Sequence, residues 1–142
     1  QTSYYIRFRY AGHWIVSNKI LIADDEPGIR MLIEQTLEPL EDKGVVLLNA
    51  CNGKQALEII KAQKPDFVLL DVMMPKMDGF DVCNTVKNIL KIEDIYILML
   101  TAKGQELDKQ RGKDVGADYY MTKPFDLDDI LERTVNILGV ET

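Results

Sequence analysis

Short apolar runs alternate with amphipathic stretches along most of the chain. The apolar runs occupy residues 20–23, 45–48, 67–70 and 95–100, with a weaker run at 118–121. Each run is too short for a helix, and the stretches between them place apolar residues at helical spacing. Because parallel strands need helical crossovers and continuous apolar strands are covered on both faces, the pattern predicts a doubly wound α/β domain with five parallel strands.

Local signals place the helices between these strands. Pro27 suits a first helical position, and Asn52 with Gln55 forms a capping pair before the second helix. We expect a third helix over residues 80–90 and a last helix over 127–138 that begins after the N-cap Asp126. The inward-facing positions of the first two helices are Ile29, Leu32, Ile33, Leu37, Ala56, Leu57 and Ile60. The helix predicted within residues 103–114 has only Leu107 as a large apolar residue, so it should be lightly anchored.

Residues 1–17 differ in composition from the rest of the chain. They hold five of the eleven aromatic residues, two arginines and no acidic residue. Two β-prone runs around Ala11-Gly12 predict a hairpin or a single arm. We interpret residues 1–17 as a leader added to the domain, or as an aromatic arm that adds an edge strand to a neighbouring chain, and residues 18–142 as the domain itself.

Charge and cysteine content exclude several classes of function. The net charge of −6 argues against direct binding to nucleic acid or to anionic membranes by this chain, so a DNA-binding role would need another segment or polypeptide. Cys51 and Cys83 form no CxxC motif, and we expect two buried free thiols without a disulfide or zinc site. No apolar run is long enough to span a bilayer and no signal peptide is evident, which predicts a cytoplasmic protein.

Polar residues that favour phosphoryl chemistry follow four of the predicted strands. The first strand ends at Asp24-Asp25, the third at Asp71, the fourth at Thr101 and the fifth near Lys123. These strand ends meet at one edge of a parallel sheet, where ligands of such folds bind. Three neighbouring carboxylates repel one another unless a cation neutralises them, and all-oxygen ligands favour Mg²⁺.

A carboxylate beside Mg²⁺ can attack phosphorus, while an ammonium and a hydroxyl group meet the developing charge. We expect Asp71, alone at a central strand end, to be the attacking group. The adjacent Asp24 and Asp25 are better placed as metal ligands, and Lys123 and Thr101 supply the ammonium and the hydroxyl group.

Four segments in this order resemble the receiver domain of two-component response regulators: ILIADDEP, LLDVMMPKMDG, MLTA and GADYYMTKPF. The resemblance extends from about residue 18 to the C-terminus. It implies the flavodoxin-like strand order 2-1-3-4-5. It also implies a phosphorylation-dependent switch whose phosphoryl donor is a sensor histidine kinase, a phosphotransfer protein or a small molecule, and which dephosphorylates itself slowly.

The resemblance assigns a role to each site residue. Asp71 is the phosphoacceptor, while Asp25, Asp71 and the backbone carbonyl group of Met73 bind Mg²⁺ directly and Asp24 acts mainly through bound water. Lys123 pairs with the phosphoryl oxygens, and its peptide bond to Pro124 is cis.

The resemblance also implies how the switch works. Phosphorylation draws Thr101 toward the phosphoryl group, and Tyr120 rotates inward. The surface that changes is formed by the fourth helix, the fifth strand and the fifth helix, and it serves for homodimers or effectors. Tyr119 adds a second aromatic residue beside the switch position.

Three other functions remain as alternatives. An aspartate-nucleophile phosphohydrolase of the haloacid-dehalogenase type places an acid two residues after the nucleophile, where this chain has Met73. A flavin or nucleotide module needs a phosphate-binding loop, but the first strand ends in Asp-Asp-Glu-Pro. A pseudo-receiver that acts only as an interaction surface does not need the intact acidic set. Both a stand-alone receiver and a part of a larger regulator fit the sequence.

Overall fold

The computed structural model describes residues 6–10, 13–16, 18–102 and 106–140, and the side chains of residues 18–102 and 110–140. The strands are β1 (Ile6–Tyr10), β2 (His13–Val16), β3 (Asn18–Ala23), β4 (Val45–Ala50), β5 (Phe67–Asp71), β6 (Tyr96–Thr101) and β7 (Tyr119–Thr122). The α-helices are α1 (Pro27–Leu37), α2 (Gly53–Gln63), α3 (Gly79–Asn84), α4 (Glu106–Asp114) and α5 (Leu127–Leu138). A 3₁₀ segment, Glu38–Lys43, follows α1, and a π-helical turn, Thr85–Ile89, continues α3.

Five of the strands form one parallel sheet in the order β4-β3-β5-β6-β7. This arrangement confirms the predicted doubly wound fold and its 2-1-3-4-5 order. Ala23 of β3 pairs with Leu70 of β5, so the residues that follow them, Asp24 and Asp71, lie at the same level of the sheet. Asp71 in turn pairs with Leu100 of β6, one residue before Thr101.

The central strand β5 is buried along its whole length because helices cover both faces of the sheet. Val68 and Leu70 belong to the core on the side of α2 and α3. Phe67 and Leu69 alternate with them and pack into the core on the side of α1 and α5. Successive side chains of a strand point to opposite faces, so the continuous apolar run fills both cores at once.

The predicted helix caps are present. The Asn52 side chain accepts a hydrogen bond from the Gln55 amide at 2.8 Å, and the Gln55 side chain accepts one from the Cys51 amide at 2.7 Å. Asp126 caps α5 by accepting from the Asp128 amide at 2.8 Å. These side chains satisfy amide groups that have no partner within the helix.

The predicted burial is wrong at two positions. Leu32 is 48% exposed, because the buried line of α1 runs through Ile33 and Leu37, four residues apart, and Leu32 lies beside this line. Cys51 is exposed, since it follows the edge strand β4, whereas Cys83 is buried and burial raises the pKa of its thiol to about 12.

The helix predicted over residues 80–90 is α-helical only as far as Asn84. The amide of Leu90 bonds to the carbonyl oxygen of Thr85 at 2.8 Å, which is the spacing of a π turn. Lys87, on this turn, forms an ion pair with Asp118 at 3.0 Å. The turn therefore ties the end of α3 to the segment that leads into β7.

In the segment before the sheet, Ile6–Tyr10 and His13–Val16 pair antiparallel, which makes it a hairpin and not a single arm. Residues 11–12 lie outside the described part. Among the residues of α4 whose burial is described, 110–114, Gly112 is the only buried one. Residues 103–105 and the Leu107 side chain lie outside the described part. No helix among the described residues is both long and apolar enough to cross a membrane.

Glycine permits the close packing of the loop that follows Asp71. The amide of Gly79 donates to the Val72 carbonyl oxygen at 2.8 Å, and a Cβ atom at Gly79 would lie 2.3 Å from the Asp71 carbonyl oxygen. At the start of α2, a Cβ at Gly53 would lie 1.7 Å from the carbonyl oxygen of Met77, in the same loop. Both contacts are too short for any other residue, so these glycines hold the loop against the sheet and α2.

We predict that Gly79→Ala lowers the free energy of unfolding by on the order of 2 kcal/mol, because the backbone at Asp71 must shift. Gly28→Ala is the matched control, since a Cβ at Gly28 meets no atom within 4 Å. This control should be neutral or stabilising by up to about 1 kcal/mol, from helix propensity. Urea unfolding compares the two variants with the parent chain, and equal effects of both substitutions would refute the role given to Gly79.

Candidate functional site

Two buried carboxylates and one ammonium group meet at the carboxyl edge of the sheet. The Nζ atom of Lys123 lies 3.0 Å from Oδ2 of Asp24 and 3.3 Å from Oδ1 of Asp71. Both carboxylates are almost inaccessible to solvent, while the side chain of Lys123 is 19% exposed. The structure thus brings together three of the residues that the strand ends singled out.

Asp24 is held in place by four of its polar atoms. Its amide donates to the Ala50 carbonyl oxygen at 3.2 Å, and its Oδ1 accepts from the Glu26 amide at 2.9 Å. Its Oδ2 accepts from Lys123, and its backbone carbonyl oxygen accepts from Nη1 of Arg30 at 2.7 Å. Both carboxylate oxygens are therefore already engaged within the protein.

The pairing of β6 with β7 fixes the position of the Lys123 backbone. Thr101 pairs with Thr122, and the amide of Lys123 donates to the Thr101 carbonyl oxygen at 2.6 Å. The Lys123–Pro124 peptide bond is cis, as the resemblance implied. Burial disfavours the charge of Lys123, but its hydrogen bond to Asp24 and the charges of Asp71 and Asp24 outweigh this effect and raise the pKa of the ammonium.

Asp71 is ionised at a cost in this environment. Burial, followed by the negative charge of Asp24, raises the pKa of the Asp71 carboxyl from 3.8 to about 7, although Lys123 acts in the opposite direction. One ammonium group shared between two buried carboxylates leaves excess negative charge. Such a site favours an added cation.

The residues present fit Mg²⁺. Carboxylate oxygens of Asp24, Asp25 and Glu26 lie within 4.8 Å of one another, and Asp25 and Glu26 are exposed. A set of oxygen donors without nitrogen or sulfur suits this hard cation. The Met73 side chain is 71% exposed, and the role expected at this position belongs to its backbone carbonyl group.

Two residues near the acidic groups were not identified from the sequence. Glu26 lies 3.5 Å from Nζ of Lys123, and Arg30 binds the backbone of Asp24. The third acid of the Asp-Asp-Glu run was the available signal for Glu26. The contact of Arg30 depends on how α1 leaves the loop, and no spacing rule predicts it.

The two expected switch residues occupy different depths in the sheet. Thr101 is buried at the end of β6, one residue after Leu100, which pairs with Asp71. Tyr120 pairs with Met99 deeper in the sheet, and its hydroxyl group is buried. Its ring lies against α4, where a Cβ at Gly112 would be 2.7 Å from Cδ2 of the ring. Tyr120 therefore lies between β7 and α4, away from the carboxylates.

The neighbouring Tyr119 points to the opposite face of the sheet. The guanidinium group of Arg133 on α5 lies 3.8 Å from the centre of its ring, and Nη2 donates to the Tyr119 hydroxyl group at 2.6 Å.

An open cleft of about 480 Å³ lies beside α4 and β7. Its lining residues are Gln110, Gly112, Lys113, Ala117, Asp118, Tyr119 and Tyr120.

Comparison with known proteins decides the family. The model of the response regulator receiver domain matches residues 20–135. The chain belongs to this family. The resemblance seen in the four sequence segments is thereby confirmed, and the chain is a receiver domain of the kind that acts in two-component signalling.

Individual relatives of the receiver domain are regulators of transcription and chemotaxis. The alkaline phosphatase synthesis transcriptional regulatory protein PhoP of Bacillus subtilis is 42% identical over 123 residues, which cover 87% of this chain and 49% of that protein. The DNA-binding dual master transcriptional regulator RpaA of Synechocystis is 42% identical over 120 residues, 84% of this chain and 48% of that protein. The chain thus spans about half the length of these curated relatives.

Solved structures show the same fold. The chemotaxis response regulator CheY4 of Vibrio cholerae has a TM-score of 0.73 and 33% identity. The match covers 86% of this chain and 99% of that chain.

We predict that Asp71→Asn stabilises the metal-free receiver domain at about pH 8 by on the order of 3 kcal/mol. The folded-state pKa of Asp71 is raised from 3.8 to about 7, so the folded state binds the proton more tightly than the unfolded state does. Stability therefore falls as the pH rises between these two values, and the asparagine removes this loss.

The measurement is urea unfolding in the presence of a chelator at about pH 4 and about pH 8. The gain from Asp71→Asn should be small at the lower pH, because the carboxyl is then protonated in the folded state and only about half ionised in the unfolded state. Asp42→Asn, which removes an exposed carboxylate, is the control and should show no such gain. A stabilisation by Asp71→Asn that is the same at both pH values would contradict the raised pKa.

Proposed function

We propose that Asp71 of this receiver domain accepts a phosphoryl group from a sensor histidine kinase or a phosphotransfer protein, with Mg²⁺ as cofactor. The observation that carries the proposal is the position of Lys123, whose ammonium lies between the buried carboxylates of Asp24 and Asp71. The ammonium of an ordinary surface lysine would remain in water and would not lie between two buried carboxylates. A phosphoryl-transfer site needs a cation at this place.

In the proposed reaction, a carboxylate oxygen of Asp71 attacks the phosphorus atom of a phosphohistidine. The new O–P bond forms as the N–P bond breaks, and the electron pair of that bond returns to the imidazole nitrogen. Lys123 stabilises the charge on the transferred phosphoryl oxygens, and the Thr101 hydroxyl group takes a share of the same charge. Mg²⁺, when bound, neutralises the carboxylates and the phosphoryl group.

The proposed Mg²⁺ ligands are Asp25, Asp71 and the Met73 carbonyl group, with Asp24 acting mainly through water. The hydrogen bonds of Asp24 support this division. Its two carboxylate oxygens already accept from the Glu26 amide and from Lys123, whereas Asp25 is exposed. Glu26, exposed and close to Lys123, is an additional candidate for an outer ligand.

We propose that the signal leaves through α4, β7 and α5. Thr101 is joined to β7 by the hydrogen bond from the Lys123 amide, and Tyr120 on β7 lies against Gly112 of α4. Arg111 of α4 also stacks on the ring of Phe80 at 4.1 Å, and Phe80 follows the loop after Asp71. A change at Asp71 thus reaches α4 through two sets of contacts, and Thr101 and Tyr120 are the proposed switch residues.

We propose a role in regulating transcription, because the relatives PhoP and RpaA are transcriptional regulators. With a net charge of −6, this chain would act there through an attached segment or a partner, without binding nucleic acid itself. We also propose that it works in the cytoplasm. We propose that residues 18–142 form the receiver domain and that residues 1–17 precede it as a leader or arm; the family match over residues 20–135 falls within the proposed domain.

We predict that acetyl phosphate with Mg²⁺ adds the mass of one phosphoryl group to the chain and that the adduct is labile in base. Asp71→Asn should abolish the adduct. Asp81→Asn, which alters an exposed carboxylate on α3, should keep it. Lys123→Met should reduce the extent of phosphorylation by at least about tenfold, because a charged donor to the phosphoryl group is lost. Intact-mass spectrometry measures all four proteins.

The same experiment separates the proposed function from its rivals. A chain that gains no adduct, and whose fluorescence does not respond to beryllofluoride, would be a pseudo-receiver. Rapid consumption of acetyl phosphate without an adduct would indicate a phosphohydrolase. An adduct that survives in Asp71→Asn would place the acceptor on another residue.

We further predict that beryllofluoride with Mg²⁺ promotes a homodimer through the face formed by α4, β7 and α5. The open cleft beside α4 and β7 supports an interaction there. Sedimentation velocity should show an increased fraction of dimer, and Asp71→Asn should show no change. A profile of the parent chain that beryllofluoride leaves unaltered would count against the dimer.

A further inference from the structure

We propose that Arg30 is a positioning residue that orients the Asp24–Asp25 peptide for cation binding. This inference rests on the proposed function, since it concerns the same acidic site. The side chain of Arg30 reaches back from the first turn of α1, and its Nη1 donates to the Asp24 carbonyl oxygen at 2.7 Å. A charged donor at this distance forms a strong hydrogen bond.

Arg30 closes the acidic loop with both its backbone and its side chain. Its amide donates to the Glu26 carbonyl oxygen at 3.1 Å, while its guanidinium group holds the Asp24 carbonyl group two residues earlier. The turn between these residues is also closed by the Asp24 carboxylate, which accepts from the Glu26 amide. The loop is thereby fixed at the carbonyl groups of Asp24 and Glu26.

Fixing the Asp24 carbonyl group also constrains the backbone of Asp25. A peptide group is planar, so fixing the Asp24 carbonyl oxygen also fixes the amide of Asp25 and the direction in which that residue leaves the plane. Asp25 is exposed, and its carboxylate lies within 4.8 Å of those of Asp24 and Glu26. Because burial does not hold Asp25, the orientation of its backbone is what brings its carboxylate to the cluster.

The charge of Arg30 and its hydrogen bond act on cation binding in opposite directions. A guanidinium group next to an acidic cluster repels Mg²⁺, so removing the charge alone would strengthen binding. Loss of the hydrogen bond releases the Asp24–Asp25 peptide and weakens binding, as the loss of outer partners at metal sites generally does. The sign of the change in affinity therefore distinguishes a positioning role from a purely electrostatic one.

Arg30 is also separate from the main anchors of α1. Ile33 and Leu37 are fully buried and attach the helix to the sheet, whereas Arg30 is partly exposed. We therefore expect Arg30→Gln to remain folded. Thermal unfolding in the presence of a chelator tests this expectation before any metal is added.

The experiment is calorimetric titration of the full chain with Mg²⁺ alone, at physiological salt. Arg30→Gln should weaken Mg²⁺ binding by about tenfold or more. Arg30→Lys, which keeps the charge and one donor group, should recover part of that affinity. Lys54→Gln removes one positive charge from an exposed position near the start of α2 and should change the affinity by less than about twofold.

A second readout follows the metal requirement of phosphorylation. With acetyl phosphate, the Mg²⁺ concentration at half-maximal phosphorylation should rise for Arg30→Gln in proportion to its dissociation constant. The extent at saturating Mg²⁺ should stay close to that of the parent chain. A merely structural role would instead lower the extent at every concentration.

Each outcome decides the inference. Tighter or unchanged Mg²⁺ binding by Arg30→Gln overturns the positioning role while leaving the proposed function intact. If Arg30→Gln does not fold, the Mg²⁺ affinity of Arg30→Lys is measured instead. An affinity equal to that of the parent chain would contradict the positioning role. A parent chain that binds no Mg²⁺ overturns the proposed function and this inference together.

Discussion

The ammonium of Lys123 between the carboxylates of Asp24 and Asp71 is the interaction on which the site depends. The lysine and Asp24 are 99 residues apart in sequence and 3.0 Å apart in the fold. Burial opposes the charges of Lys123 and Asp71, and the ammonium of Lys123 offsets part of the cost of ionising Asp71 beside Asp24. Without Lys123, two adjacent buried carboxylates would face each other, and one of them would have to take up a proton.

The sheet makes this juxtaposition possible because its strand order differs from the chain order. The first strand of the domain, β3, lies beside β5, which puts Asp24 and Asp71 at one level. The strand β7, last in sequence, borders β6 and delivers Lys123 from the far side. The buried residues of β5 anchor Asp71 firmly, while the glycines at 53 and 79 let the following loop pack against the sheet and α2. Rigid strands therefore position the charges, and loops supply access to them.

The sequence is sufficient to predict the parts of the molecule that follow from periodicity and from strand ends. The five strands, the cap at Asn52 and the meeting of Asp24, Asp71 and Lys123 belong to this class. The exposure of Leu32 and Cys51 depends on the roll of α1 and on β4 being an edge strand, which no local pattern encodes. The contact of Arg30 with the Asp24 backbone is of the same kind, because it is set by the angle at which the helix leaves the loop.

The two adjacent tyrosines of β7 explain how one strand can serve both helices beside it. Strand alternation sends Tyr120 toward Gly112 of α4 and Tyr119 toward Arg133 of α5. The same strand is joined to Thr101 through the Lys123 amide at 2.6 Å. In the proposed switch, a displacement of Thr101 would act on a strand that touches both helices, so the two helices would respond together. This coupling requires no change within either helix, only a shift of the strand between them.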